Sequence, residues 1–197
     1  MLEVELKSVV DDVRRRRAEI EAAGGTLIFD GRLTDHRYDT ANGLLASMDH
    51  VLRVRVYIDE RGARAELDWK GPTSRVDGFK SREELEAAVT DANALGAILA
   101  KLGYVVTMTI EREIAQYDLG GAIVRFESYP RMDDLVEVEG TPEQIERAIV
   151  ALGIPRDGFT ADRLSDFAAR FEARTGLEAA LSAEGLTGHA TYDFSDA

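Results

Sequence analysis

The sequence predicts an α+β protein built around an antiparallel sheet. Several segments alternate charged and aliphatic residues, which is typical of strands that bury one face. Turn signals, among them Asn42-Gly43, separate β-rich segments and indicate hairpins. Segments with helical spacing and recognisable caps lie between these strands. Together these three observations define the fold class.

The composition limits the kinds of partner. The chain has 197 residues and no cysteine, so we expect one domain and no disulfide scaffold. No leader follows Met1 and no apolar run reaches the about 18 residues of a membrane span, which predicts a cytoplasmic protein without membrane contact. A formal charge of −13 disfavours nucleic acid. A polyanionic ligand would therefore need a local cationic pocket or bound divalent metal.

The first seven residues predict a strand with one charged face. Glu3, Glu5 and Lys7 alternate with aliphatic residues, so an extended backbone places two carboxylates and an ammonium on the same side. A helix is predicted next, because Asp11-Asp12 suits a first helical turn and Gly24-Gly25 ends the helical spacing.

The following segment predicts strands joined by hairpins, over residues 27–29, 36–40, 51–58 and 63–70. In the third of these strands, Arg53 and Arg55 share one face. In the fourth, the residues that share a face are Arg64, Glu66, Asp68 and Lys70. The charged alternation of the first strand therefore recurs twice.

Residues 82–89 allow two interpretations. The segment from Ser81 to Glu84 resembles a capping box that begins a helix, whereas a strand would place Arg82, Glu84 and Glu86 on one face. The local signals favour the helix.

The remaining chain alternates helices and strands. Helices are predicted over 91–102, 141–152 and 162–175, and strands over 105–114, 122–128 and 135–139. Arg125 with Glu127, and Glu137 with Glu139, repeat the charged alternation. The last residues, 176–197, predict an acidic and partly disordered tail, with 185–197 largely disordered.

The charged strand faces indicate a functional interior. If the sheet closes on itself, these faces line the inside and the helices cover the outside. Buried charge is costly unless water, metal ions and a polyanionic ligand compensate it. Carboxylates bind hard divalent cations, Arg and Lys bind phosphate oxygens, and phosphoryl transfer uses both in one pocket.

Five motifs in this order resemble those of the CYTH superfamily. They are Glu-x-Glu-x-Lys at 3–7, Leu-Arg-Val-Arg at 52–55, Lys-Gly-Pro at 70–72, Arg-Glu-Glu at 82–84 and Glu-Val-Glu at 137–139. This superfamily comprises the triphosphate tunnel metalloenzymes, which include class IV adenylyl cyclases, thiamine triphosphatases and inorganic triphosphatases. The resemblance covers residues 1 to about 167, and the ordered set is far more specific than any single motif.

The resemblance implies a closed eight-stranded antiparallel β-barrel that encloses a tunnel, with helices packed outside. The tunnel domain would span residues 1–175 and the tail 176–197. Within this fold, residues 82–89 would form a strand, against the local preference for a helix.

The resemblance also implies the residues of the site. Mg²⁺ or Mn²⁺ would be held by Glu3, Glu5, Glu127, Glu137 and Glu139, with Glu127 at a position that is usually Asp. The triphosphate would be bound by Lys7, Arg53, Arg55, Lys70, Arg82, Arg112 and Arg125. Catalysis would involve Glu3, Glu5, Lys7 and Lys70.

Two segments depart from the family pattern. Relatives usually carry Lys-x-Arg on the sixth strand, where this chain has Glu111-Arg112-Glu113. Either two charges of the tunnel wall are reversed, or the register shifts so that Arg112 faces the tunnel. In addition, Asp166 follows Ser165 where relatives often have Tyr.

The leading hypothesis is metal-dependent hydrolysis of a triphosphate compound, such as tripolyphosphate or thiamine triphosphate. The alternative is class IV adenylyl cyclase chemistry, in which the ribose 3′-hydroxyl attacks instead of water. The segment Tyr38-Asp39-Thr40 resembles the hydrolase pattern more than a cyclase-specific one. A second alternative, raised by Glu111 and Glu113, is a non-catalytic polyphosphate or nucleotide binder. Resemblance to cyclases also makes a homodimer an expectation.

Overall fold

The computed structural model describes residues 2–76 and 79–188, with the backbone alone for residues 2, 3, 75, 76, 79 and 80. The described strands are β1 (Leu2–Val9), β2 (Thr26–Thr40), β3 (Val51–Asp59), β4 (Gly62–Lys70), β5 (Ser74–Val76), β6 (Phe79–Val89), β7 (Tyr104–Leu119), β8 (Ala122–Ser128) and β9 (Leu135–Glu139). The described helices are α1 (Val13–Ala22), α2 (Leu44–Ser47), α3 (Ala92–Lys101), α4 (Pro142–Leu152), α5 (Leu164–Thr175) and α6 (Ala183–Leu186).

Eight of the strands close into an antiparallel barrel. They pair in the order β1-β9-β8-β7-β2-β3-β4-β6, and the additional pairing of β1 with β6 completes the circle. The short strand β5 pairs with β6 alone. The α+β fold class and the closed eight-stranded barrel are thus confirmed.

Residues 82–89 lie within strand β6, so the helix that the local capping-box signal favours is wrong there. The reason is tertiary pairing: β6 is bonded to β1 along one edge and to β4 along the other. The paired backbone groups on both sides outweigh a local preference of a few tenths of a kcal/mol per residue.

Helices α1 and α4 cover the outer face of β1, β9, β8 and β7. Helix α1 begins after Asp12, whose carboxylate accepts the Arg15 amide, and α4 begins with a capping box between Thr141 and Gln144. The buried residues between these helices and the strands form the main core, which includes Leu6, Ile20, Val124, Phe126, Val138, Ile145, Ile149 and Leu152. This core holds the charged strand faces toward the barrel interior.

Strand β2 is continuous over fifteen residues, where the sequence predicts two short strands. It pairs with β7 along almost its whole length, with register shifts near each end. Because side chains alternate along a strand, Leu33, Asp35 and Arg37 all face inward. The long β2 thus adds Asp35, which the two predicted segments leave out, to the charged groups of the interior.

The barrel interior is apolar at one end and covered at the other. Phe29, Leu33, Tyr57 and Ile114 form a buried cluster, with the Phe29 and Tyr57 rings edge to face at 5.4 Å. At the opposite end, Leu181 is fully buried against Met108 and Ile110, and Leu164 packs on the same group.

The chain after α5 remains attached to the barrel as far as the structure describes it. We call residues 176–188 the C-terminal segment; in it, Ala179, Ala180 and Leu181 are buried. Ala180 exchanges two backbone hydrogen bonds with Arg131. Disorder is predicted for residues 185–197, of which 185 and 186 end helix α6 and 189–197 lie outside the described residues. Among those described, no helix combines the length and apolar character that crossing a bilayer requires.

Candidate active site

The inward strand faces surround a cavity of about 80 Å³. In the described part of the chain, nine cationic and four acidic side chains line it: Lys7, Arg37, Arg53, Arg55, Lys70, Arg82, Arg112, Arg125 and Arg163, with Glu5, Asp35, Glu127 and Glu137. All seven predicted phosphate-binding residues belong to this lining. The cavity therefore carries five more cations than acids, although the whole chain has a formal charge of −13.

One part of the charged lining joins β1, β9 and β8. The Lys7 ammonium lies 2.9 Å from Glu5 Oε1 and 2.6 Å from Glu137 Oε2, and Arg125 Nη1 lies 2.7 Å from Glu137 Oε1. Burial alone would lower the pKa of Lys7, but the carboxylates of Glu137 and Glu5 outweigh burial and raise it. Burial would conversely raise the pKa of Glu137, which Lys7 and Arg125 hold below its ordinary value. Lys7 and Glu137 are therefore charged at neutral pH.

A second part of the lining joins β8, β7, β2 and β3. Arg112 reaches Glu127 at 3.0 Å and Asp35 at 3.1 Å, and so bridges the two carboxylates. The other oxygen of Asp35 accepts from Arg55 Nε at 3.1 Å. Despite burial, which favours the neutral acid, the guanidinium groups of Arg112 and Arg55 hold the pKa of Asp35 well below its ordinary value.

The third part joins β3, β4 and β6. Arg53 donates two hydrogen bonds to Asp68 Oδ2, at 2.9 and 2.7 Å. Lys70 forms an ion pair with Glu84. Each of the eight barrel strands contributes a charged side chain to these ion pairs, in which five cations each bind a carboxylate from a neighbouring strand: Lys7, Arg53, Lys70, Arg112 and Arg125. Since buried charges are costly even when paired, the arrangement favours a role in ligand binding over one in stability.

Arg82 and Arg163 lie at the covered end of the cavity. The Arg82 guanidinium donates to the carbonyl oxygens of Gly71 at 2.7 Å and Asp49 at 2.8 Å, which fixes the loop after β4. Arg163 precedes α5 and lies 3.2 Å from Asp49. Asp166, which stands where relatives often have Tyr, accepts the Arg163 amide at 2.9 Å and caps α5.

The altered sixth-strand motif keeps one cation in the cavity. Arg112 faces inward. Of the two alternatives for this motif, the structure therefore has the shifted register, and the charge of the cavity wall is not reversed at this position. Glu111 and Glu113 lie on the outer face, where Glu113 is exposed. Glu111 instead binds the C-terminal segment: its carboxylate accepts the Ala183 amide at 2.7 Å, and its own amide donates to the Leu181 carbonyl at 2.7 Å.

Replacing Glu111 by Ala is expected to loosen the C-terminal segment without unfolding the barrel. The substitution removes one charge-assisted hydrogen bond, worth about 1.5–3 kcal/mol. Hydrogen exchange of the Ala183 amide should speed up by roughly the corresponding factor, while amides of β8 and β9 keep their protection. Unchanged exchange at Ala183 would contradict this role for Glu111.

The acidic residues of the interior fit a hard divalent cation by their chemistry. Glu5, Glu127 and Glu137 face the cavity, and Glu139 stands beside Glu5 in the register of β9 with β1. Carboxylate oxygens are the donors that Mg²⁺ and Mn²⁺ prefer. The side chain of Glu3 lies outside the described part of the structure.

A further acidic group lies on β4 and β6. Ligand atoms of Asp68, Glu84 and Glu86 come within 4.8 Å of one another. Asp68 is fully buried, and its Oδ1 accepts no hydrogen bond from any described residue, which leaves an acceptor for a cation. The sequence predicts Asp68, Glu84 and Glu86 on charged strand faces but does not single them out as ligands.

Sequence reasoning misses three charged residues of the cavity. Asp35 escapes because the predicted strands leave out residues 30–35, and Arg37 lies in the predicted strand over 36–40 but is not singled out there. A strand extended over 26–40 would have shown both on one face. Arg163 escapes because it precedes a helix, and no strand alternation marks it.

The fold is shared with several solved structures of low sequence identity. A candidate adenylate cyclase from Vibrio parahaemolyticus has a TM-score of 0.73 and 16% identity, covering 86% of this chain and 98% of that one. The PH1819 protein from Pyrococcus horikoshii has a TM-score of 0.68 and 18% identity, covering 85% and 98%. The candidate adenylyl cyclase HpAC1 from Hippeastrum, described as having a dominant triphosphatase activity, has a TM-score of 0.60 and 21% identity, covering 88% and 95%.

No curated protein matches the sequence significantly. The family model of the CYTH domain, in contrast, matches residues 1–147 and so includes the eight barrel strands and β5. This match agrees with the five sequence motifs and with the closed barrel. The chain therefore belongs to the CYTH domain family.

Proposed function

We propose that this protein is a divalent-metal-dependent hydrolase of triphosphate compounds. The observation that carries the proposal is the cavity, in which cations outnumber acids inside a strongly acidic protein. Such a local excess attracts a compact polyanion and repels cations. The mostly charged lining suits a chain of phosphates.

The cations on β3, β4 and β7 are placed to bind phosphate oxygens. Arg53 and Arg55 lie on β3 and Arg112 lies on β7, on the other side of β2. Each carries five N–H donors, more than their carboxylate partners use. Lys70 and Lys7 supply compact ammonium groups at other points of the lining. These groups would orient the phosphates and neutralise the charge that moves onto the leaving group.

Glu5, Glu137 and Glu139, with Glu127 and Glu3, would hold Mg²⁺ or Mn²⁺ in this proposal. A divalent ion bound there would supply positive charge to stabilise the phosphates and would lower the pKa of water. Lys7 lies between Glu5 and Glu137, so it holds these two carboxylates close together, and its charge helps to hold the pKa of Glu137 below its ordinary value. The residues that would act next to the reacting phosphate are Glu5, Lys7 and Lys70. Glu3 lies on β1, the strand that carries Glu5 and Lys7.

Two observations favour hydrolysis over the alternatives. A cyclase must also hold a nucleobase and a ribose, yet in the described lining the one aromatic residue is Tyr129, whose hydroxyl donates to Glu127 at 2.7 Å. The binder hypothesis rests on Glu111 and Glu113, and both lie outside the cavity while Arg112 faces it.

The homodimer stays a prediction, which sedimentation analysis would test.

A product profile tests the proposal. The protein is incubated with tripolyphosphate, thiamine triphosphate and ATP, each with Mg²⁺ or Mn²⁺ and with EDTA. We expect metal-dependent release of phosphate from at least tripolyphosphate. Cyclic AMP with pyrophosphate from ATP would instead indicate a cyclase, and tight binding without turnover under both metals would indicate a binder.

A further inference from the structure

We propose that Asp35 is a positioning residue that sets the guanidinium groups of Arg53, Arg55 and Arg112 for the bound phosphates. This inference rests on the proposed function and deepens it. It assigns a role to a buried carboxylate that is neither among the predicted metal ligands nor among the phosphate-binding cations.

Asp35 is the one described carboxylate that three cavity arginines share. Its Oδ1 accepts from Arg55 Nε at 3.1 Å, and its Oδ2 accepts from Arg112 Nη2 at 3.1 Å. Arg53 Nη1 lies 3.6 Å from the same Oδ2. These arginines belong to β3 and β7, the two strands that flank β2. One side chain therefore fixes both neighbouring strands' cationic groups relative to each other.

The burial of Asp35 makes its geometry rigid. Its side chain is 1% exposed, and it lies between the apolar end of the interior and the rest of the cavity. A carboxylate among several guanidinium groups stays ionised and has little freedom to turn. Arg55 also reaches Asp68, so its position is defined from two sides.

Fixed guanidinium groups matter for turnover more than for capture of the anion. Arginines that are already oriented need no reorganisation when charge moves in the transition state, which is the basis of electrostatic preorganisation. Mobile arginines would still attract a polyanion, because the charge remains in the cavity. A positioning role thus predicts that turnover and ground-state affinity separate.

The substitution Asp35→Asn tests this separation. Asn keeps the size and one acceptor oxygen, but it cannot hold two guanidinium groups by charge, and it raises the net charge of the cavity by one. We expect kcat for tripolyphosphate to fall by about 10–100-fold. The Kd for tripolyphosphate in EDTA, measured by calorimetry, should stay unchanged or become tighter. An unchanged kcat, or a Kd that weakens as much as kcat falls, would overturn the proposal.

Asp39→Asn is the matched control for stability. Asp39 is also a buried aspartate of β2, but its carboxylate accepts the backbone amides of Thr40, Leu45 and Ala46 and bonds to no arginine of the described chain. This variant should lose thermal stability and keep kcat per folded molecule. If Asp35→Asn lost activity only in proportion to its unfolded fraction, as a structural residue would, the positioning role would be refuted.

A readout without turnover separates failure of this inference from failure of the proposed function. In the wild type, the Arg55 Nε–H is held by Asp35 and should give a resolved, slowly exchanging signal in ¹H–¹⁵N spectra. That signal should move to the averaged position of mobile arginines in Asp35→Asn. If the wild type hydrolyses no triphosphate, the proposed function fails, and the spectra still decide whether Asp35 orders the arginines: an unchanged Arg55 signal would overturn the inference.

Discussion

Replacing Glu137 by Gln is expected to lower metal-dependent phosphate release by on the order of 10²–10³-fold. Glu137 binds Lys7 with one oxygen and Arg125 with the other, and it faces the cavity within the predicted metal-binding set. Gln keeps the shape but loses the charge that a divalent ion and both cations require. The measurement is the initial rate of phosphate release from tripolyphosphate across a range of Mg²⁺ and Mn²⁺ concentrations.

Glu113→Gln is the matched control for this experiment. It makes the same chemical change on strand β7, where Glu113 is exposed on the outer face of the barrel. The control should keep both its rate and its melting temperature. Full retention of metal-dependent release in Glu137→Gln would contradict the assignment of Glu137, and an equal loss in both variants would contradict the importance of the interior position.

The alternation of charge along single strands is sufficient to predict much of the site. In β3 and β4, Arg53, Arg55 and Lys70 share their faces with other charged residues, and the structure places all three in one cavity. This works because a strand's period of two is a local property of the backbone. The five ordered motifs then supply the closed barrel, which local patterns alone leave conditional.

The pairs inside the cavity depend on register, which the sequence does not define. Arg112 bridges Glu127 of β8 and Asp35 of β2 because β7 lies between those strands in the barrel. A shift of β7 by one residue would turn Arg112 outward and bring Glu111 and Glu113 inside. The sequence therefore leaves both interpretations of that motif open, and strand pairing decides between them.

The same nonlocal pairing explains the wrong helix at residues 82–89. The capping signal at Ser81 to Glu84 is genuine as a local pattern, but strand β6 is held between β4 and β1, and β1 is far away in the chain. A local signal predicts well where no strand pairing opposes it, as in α4 with its capping box. It fails where a barrel needs a strand to close.

Arg112→Met is expected to destabilise the protein strongly as well as weaken triphosphate binding. The change leaves Glu127 and Asp35 with one cation fewer in a buried site, and breaking a buried pair in this way costs about 3–5 kcal/mol. For a chain of this size the melting temperature should fall by roughly 6–20 °C. Differential scanning calorimetry measures the change.

Addition of tripolyphosphate separates the structural part of this loss from the functional part. A ligand that binds the folded state raises its stability by an amount that grows with the logarithm of the ligand concentration divided by Kd, so the wild type should gain more than the variant. The control Arg147→Met removes an exposed arginine of α4 and should show neither loss. If Arg112→Met melted like the wild type and gained as much from tripolyphosphate, Arg112 would not be part of the binding lining. We therefore expect two interactions to offset the cost of burying the Arg112 guanidinium. One is its ion pairs with Asp35 and Glu127, and the other is its contact with the bound polyanion.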